Sequence, residues 1–281
     1  MLIYMIKNIA VSGGGLRGLY YIGVIKYLEE KNLLRGIKNY SGTSVGTICC
    51  LLMILEYKYD ELVDIFKLFD VKNLKEMDLL NVMSNYSLFS NSKIKKLVSL
   101  FIKNKLNRTK ISLKELYDLK KKVLHIVVIN IETGKQEVFN KDLTPDLDVC
   151  DAILASCGFP FIFPISKINK GIYIDGCVKN NFPYDIFNNN LEETLGLEIR
   201  SNKFQEDIKK KKVNDLSDYV SNIYNLILDS LGNQLELIEK PKYLVVLKNK
   251  VLYELDDLKH NINFMVEEGY NETKKNLENI L

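Results

Sequence analysis

Twice within the first 57 residues, a short apolar run breaks off at a glycine cluster and gives way to helical spacing. Asn8 to Ser12 is stopped by Gly13-Gly14-Gly15. Leu19, Ile22, Ile25 and Leu28 then recur at the interval of one helix face, with Lys26, Glu29 and Glu30 elsewhere on the turn. Ile37 to Ser41 is the second run, and Gly42-Thr43-Ser44-Val45-Gly46 leads from it into an apolar helix ending near Tyr57. Strand, tight turn and helix in repeated succession is the rhythm of a parallel sheet with crossover helices, which points to the α/β class.

The rest of the chain continues in that vein. Residues 59–122 read as mainly helical. Val123 to Ile131 and Gln136 to Phe139, joined through Glu132-Thr133-Gly134-Lys135, carry a hairpin signal. Leu147 to Ser156 reads as a helix that stops at Cys157-Gly158-Phe159-Pro160. Tyr173 to Asp175, Thr194 to Ile199 and Tyr243 to Leu247 read as strands, Leu216 to Leu231 as an amphipathic helix and Leu255 to Leu281 as a closing helix. No linker or repeat interrupts the sequence, so one α/β domain over residues 1–281 is expected.

Composition narrows the function classes. With 47% hydrophobic and 27% charged residues the chain is not of a disordered type, and a net charge of +3 is too near balance for a whole-protein nucleic-acid binder. Five cysteines, an odd number without framework spacing, suit reduced thiols in an intracellular protein. The longest apolar run, Ile48 to Leu55, falls well short of the ~18 residues a membrane span needs. The apolar start from Met1 to Ile6 lacks a basic leader and a small-residue cleavage site, so a soluble, cytoplasmic protein is expected.

Gly42-Thr43-Ser44-Val45-Gly46 is a G-x-S-x-G between a predicted strand and a predicted helix. Such a turn is sharp and strained; Gly42 and Gly46 avoid collisions with neighbouring backbone while Ser44 stands exposed as a nucleophile. The plainer reading makes Ser44 a helix cap. Gly13-Gly14-Gly15-Leu16-Arg17-Gly18 contains the G-x-G-x-x-G of dinucleotide folds, but residues 34–43 hold no Asp or Glu to bind a ribose. Beside a nucleophilic serine the triple glycine fits an oxyanion hole, in which backbone N–H groups converge on one oxygen. A turn serving only helix–strand packing is the alternative. For a base, His125 lies among the apolar residues of a strand and His260 in the polar helix Asp256 to Asn263, while Asp175 stands at a strand end followed by Gly176. Asp175 is the better candidate, provided that desolvation raises its basicity.

The order of these motifs resembles the patatin-like phospholipase family. Ala155-Ser156-Cys157-Gly158-Phe159-Pro160-Phe161-Ile162-Phe163-Pro164 is similar to the family's A-S-x-x-x-P-x-x-F-P segment, and Asp175 to Pro183 to its D-G-G-V-x-N-N-x-P. Ile111 to Tyr117 and the Thr133-Gly134-Lys135 turn also look familial, and the resemblance covers about residues 7–200. It implies a three-layer α/β/α fold with a mainly parallel central sheet, and hydrolysis of lipid acyl esters by a Ser–Asp dyad without histidine. Ser44 would attack the acyl carbonyl and Asp175 take its proton. The amides of Gly14 and Gly15, with Gly13, would hold the oxyanion, and Arg17 and Gly18 would support the loop. One departure is Cys177, where the family usually has Gly or Ala.

No calcium loop, zinc spacing or P-loop is present, so neither metal nor cofactor is implied. Residues 91–122 carry eleven Lys/Arg against two acids, a net +9. This segment reads either as a solvated helical face or as a docking surface for anionic lipid headgroups, with Leu88, Phe89, Ile94, Leu97, Val98 and Phe101 as an adjoining interfacial face. Lys209-Lys210-Lys211-Lys212 reads as an exposed loop. The expected activity is a phospholipase A type lipid acyl hydrolase. A soluble carboxylesterase or thioesterase with the same dyad, and a catalytically inactive lipid-binding protein, are the alternatives; nothing in the sequence sets an oligomeric state.

Overall fold

The computed structural model describes residues 6–68, 86–201, 239–249 and 258–278, with positions 219 and 223. The expected helix Leu216 to Leu231 (apart from 219 and 223), the lysine run 209–212 and residues 1–5 lie outside the described residues. In chain order come β1 (Asn8–Val11), α1 (Tyr20–Glu30), β2 (Asn39–Thr43), α2 (Val45–Ile54), α3 (Tyr59–Leu68), α4 (Ser92–Leu106) and α5 (Leu113–Lys120). These are followed by β3 (Val123–Asn130), β4 (Lys135–Phe139), α6 (Val149–Ser156), β5 (Ser166–Ile168), β6 (Gly171–Asp175), β7 (Thr194–Ser201), β8 (Tyr243–Asn249) and α7 (Leu258–Leu277). Short 3-10 segments precede α1, at Gly15–Leu19, and follow β6, at Gly176–Val178 and Tyr184–Glu193.

One sheet runs in the order β5-β6-β3-β2-β1-β7-β8, with β4 also paired to β3. The pairs β3–β2, β2–β1, β1–β7 and β7–β8 are parallel. The pairs β3–β4, β3–β6 and β5–β6 are antiparallel. The expected mainly parallel sheet thus holds for a central block of five strands, and the sheet as a whole is mixed. β5 had no expectation; at three residues it is too short to leave a pattern.

Strand alternation divides the core. Ile9 and Val11 of β1, Leu195, Leu197 and Ile199 of β7 and Val245 and Leu247 of β8 join the large core shared with α1, α2, α4, α6 and α7. Ala10, between two of them, faces a smaller cluster with Phe182, Tyr184 and Phe187. The Tyr184–Glu193 segment supplies that second layer over β1 and β7. The run from Ile48 to Leu55 is explained by α2, where Cys49 through Ile54 are all buried, as a central helix covered on every side must be.

The segment from Leu88 to Phe101 differs from its expectation. Leu88, Phe89, Leu97, Val98 and Phe101 are buried and Ile94 packs against the core, so these side chains form no interfacial face. Ile94, Leu97, Val98 and Phe101 recur at helical spacing because they are the inner stripe of α4, which burial of apolar area favours over exposure. The charges of residues 91–122 are also largely matched. Lys95 pairs with Asp151, Lys105 with Glu61, Lys120 and Lys122 with Glu56, and Arg108, Lys114 and Lys121 with acids of the segment itself. Lys96, Lys103 and Lys110 have no acidic partner among the described residues.

Candidate active site

Ser44 stands between the last residue of β2 and the first of α2, with φ 53° and ψ −130°. A non-glycine residue in the left-handed region persists only where its surroundings fix it. Here both of its peptide groups are held. The Ser44 N–H donates to Ser156 Oγ at 2.9 Å, and Ser156 Oγ donates in turn to the Val127 carbonyl at 2.7 Å. The Ser44 carbonyl accepts from the Thr47 hydroxyl at 2.6 Å and the Thr47 N–H at 2.9 Å. The turn can be this sharp only with glycines around it: a Cβ at Gly46 would lie 2.4 Å from the Val11 oxygen, and one at Gly42 2.7 Å from the Gly46 carbon. Ser156 is itself placed by α6, whose first turn is capped by Asp148 accepting from the Cys150 and Asp151 amides.

The second glycine turn lies beside the first. A Cβ at Gly13 would come within 3.2 Å of Ser44 Cβ, and one at Gly18 within 2.3 Å of a Val45 methyl. Of the three glycines expected to offer amides, Gly13 does not: its N–H donates to the Asn181 carbonyl at 2.9 Å. The Gly14 and Gly15 amides have no acceptor among the described residues. Each belongs to a peptide unit whose carbonyl is held. The Gly13 carbonyl accepts from Ser12 Oγ at 3.1 Å and Asn181 Nδ2 at 3.5 Å, which fixes the plane of the Gly14 N–H. The Gly14 carbonyl accepts from Arg17 Nε at 3.1 Å and the Arg17 N–H at 3.2 Å, which fixes the Gly15 N–H. The guanidinium charge also polarises that peptide and strengthens its free donor. Gly15 has φ +55° and open space around it.

Asp175 ends β6 and is 1% exposed. It stands at a strand end as expected, on a strand that runs antiparallel to β3, with Asp175 opposite Val128. The carboxylate still reaches the elbow, because β2 pairs Thr43 with Val127 one residue back on the same strand. Its Oδ1 accepts from the Cys177 N–H at 2.9 Å, and the Ser44 hydroxyl and the Cys177 thiol lie near enough to favour its charged form. Burial nevertheless dominates and raises its pKa from 3.8 to about 6. Cys157, buried beside Ser44, Thr47 and Asp175, has its thiol pushed up by burial and stays protonated. All five cysteines are buried and none is in a disulfide.

His125 sits in β3 opposite Ser41, edge-on to Phe187 and 3.3 Å from Asn140 Nδ2. Burial lowers its pKa to about 4, leaving a neutral structural side chain. His260 stands near the start of α7, the helix packed along α1. Among the described residues no cluster of His, Cys, Asp and Glu could hold a metal ion, and no helix is long and apolar enough to cross a membrane. Sequence reasoning assigned no role to Ser12, Ser156 or Asn181. Ser156 belongs to the A-S-x-x-x-P segment, and its small hydroxyl at the end of α6 is the signal the sequence carries.

A strained serine, a buried carboxylate and a glycine turn with two unclaimed amides thus meet on a mixed α/β sheet. The chain belongs to the patatin-like phospholipase family, whose model matches residues 9–188. It is similar to a probable lipid hydrolase of Invertebrate iridescent virus 6, 32% identical over 190 residues that cover 64% of this chain and 62% of that protein. In fold it is similar to VipD from Legionella pneumophila, with a TM-score of 0.59 and 17% identity over 97% of this chain and 67% of that one. ExoU from Pseudomonas aeruginosa, in complex with SpcU, is a second neighbour, with a TM-score of 0.53 and 20% identity over 97% and 53%.

Proposed function

We propose that the protein is a lipid acyl hydrolase of the phospholipase A type, with Ser44 as nucleophile and Asp175 as general base. The observation that carries this reading is a buried carboxylate set beside the Ser44 hydroxyl, with its pKa raised by burial to about 6. A carboxylate near 4 is a poor acceptor for a hydroxyl proton, and each unit of increase narrows the gap. Ser44 Oγ attacks the ester carbonyl while Asp175 takes its proton. The carbonyl oxygen, now negative, is met by the Gly14 and Gly15 amides, which cost no reorganisation because Ser12, Asn181 and Arg17 already hold their peptides. Collapse of the tetrahedral species expels the lysolipid alkoxide, which leaves as an alcohol with the proton from Asp175. Water then attacks the Ser44 ester, Asp175 again accepting a proton, and a free fatty acid is released as Ser44 regains its hydrogen.

The substrate side is supported by the family and by the viral lipid hydrolase relative. Lys96, Lys103 and Lys110 offer anionic headgroups a modest peripheral contact. The test is incubation with a phosphatidylcholine carrying two distinguishable acyl chains, with EDTA present, beside Ser44→Ala and Asp175→Asn. Fatty acid released by the unsubstituted chain alone is expected, and the chain released assigns the position attacked. Release by Asp175→Asn at the parental rate would refute the dyad. Equal rates on monomeric and aggregated substrate would favour a soluble esterase.

A further inference from the structure

Leu97, Val98, Phe101 and Ile102 of α4 are core residues and only Leu100 of that helix is an exposed large apolar side chain, so a lipid surface is better met elsewhere. Two loops flank Ser44, one at Gly13 and the other at Cys157. Each carries an apolar side chain outward, Leu16 at 36% exposure and Phe161 at 64%. Tyr86, 61% exposed, is brought beside Phe161 by a parallel bridge between Ser87 and Phe161. The Leu88 and Phe89 amides lock that bridge by donating to the Phe161 and Ile162 carbonyls at 2.8 and 3.0 Å. Among the large apolar side chains exposed in the described residues, Tyr86 and Phe161 alone have positive φ, 55° and 65°. Bulky residues avoid that conformation, and paired outliers at a site point to a use there. Lys96, exposed and without an acidic partner among the described residues, follows in the second turn of α4.

We propose that Phe161, Tyr86 and Leu16, with Lys96 behind them, form the face that seats the protein on an anionic bilayer and turns the Ser44 opening toward lipid. The inference rests on the lipid-ester reading above. A bilayer is the occupant these side chains fit. Aromatic rings favour the membrane–water boundary and a lysine adds attraction to anionic headgroups. Three protruding side chains fall far short of the roughly 20–30 residues a stable protein interface uses. Their attachment to the two loops that flank Ser44 would bring an acyl ester from the bilayer to the nucleophile over a few residues of chain.

The test uses the full chain with Ser44→Ala, which leaves vesicles intact, sedimented with vesicles of phosphatidylcholine and phosphatidylserine. Tyr86→Ser combined with Phe161→Ser is expected to lower partition about tenfold or more, from the apolar burial lost, and high salt should not erase the difference. Lys96→Gln should lower partition less, and only at low salt. Leu143→Ser, in the groove between β4 and the β5–β6 pair and 69% exposed, should partition like the parent. With Ser44 restored, the double variant should hydrolyse a dissolved short-chain ester as the parent does, which reports an intact fold and dyad. Parental partition by the double variant, or an equal loss from Leu143→Ser, would overturn the proposal. Failure of the parent on the dissolved ester would count against the catalytic reading alone, because partition is measured without turnover.

Discussion

The two glycine turns have similar sequences and opposite surroundings. Both leave a parallel strand for a helix and both lie against Ser44, yet the elbow is crowded at both its glycines and the loop opens at Gly15. At Gly46 an added methyl would meet the Val11 and Ser12 carbonyl oxygens at 2.4 and 2.7 Å, backbone that cannot yield. At Gly15 it would meet nothing within 4 Å, and only the φ of +55° argues for glycine. Glycine in the elbow lets the protein pack against itself. Glycine at position 15 leaves backbone bare for something that is not protein.

Substitutions can break or sharpen that contrast, and the largest effect is expected at the atom the elbow presents. Ser44→Ala should lower kcat roughly 10⁴-fold or more while leaving the urea midpoint near that of the parent. Gly46→Ala should act on folding instead, costing on the order of 3 kcal/mol or preventing accumulation of folded protein, read from urea denaturation. Gly15→Ala should cost only about 1–2 kcal/mol, for the left-handed backbone, yet reduce kcat/KM beyond what that stability loss explains. If Gly46→Ala folded well, or Gly15→Ala were fully active, the division between packing and function would fail.

Arg17→Gln frees the Gly14 carbonyl and should lower kcat about ten- to hundredfold with KM little changed, as expected when a transition-state donor loses its support. The smallest effect belongs to Cys177, whose thiol and N–H both serve Asp175. Cys177→Ala removes a donor to the charged form. The Asp175 pKa should then rise and the acid limb of the rate profile move upward by less than about one pH unit, with Cys177→Ser restoring it.

Asp175 also carries a stability prediction of opposite sign to its activity. Its pKa is raised on folding, so its contribution is fully favourable below about 4 and is lost as pH rises toward about 6. Above that the buried carboxylate is a cost on the order of 3 kcal/mol. Asp175→Asn should therefore abolish turnover and raise the thermal midpoint at pH 7, with little gain at pH 4.

Much of this was legible in the sequence because local rules carry it. The two strand–turn–helix units, the α6 helix and the β3–β4 hairpin follow from periodicity and turn residues, and Ser44 and Asp175 from short motifs in order. What was not legible depends on distant residues. The antiparallel course of β6 is set by its pairing with β3, some forty residues away. The loss of the Gly13 amide to Asn181 joins residues 168 apart in sequence, as does the Asn181 clamp on the Gly13 carbonyl. The α4 stripe from Ile94 to Phe101 was legible as a core stripe, but the adjoining lysines drew it toward a surface role. Their partners Glu56, Glu61 and Asp151 come from other elements.

The most direct test is kcat/KM for a dissolved acyl ester from pH 4 to 8, which reports ionisation of the free enzyme. A single group near pH 6, with activity rising as that group loses its proton and absent throughout in Asp175→Asn, is the expected result. A profile flat through pH 6, or one that Asp175→Asn reproduces, would contradict a Ser44–Asp175 dyad.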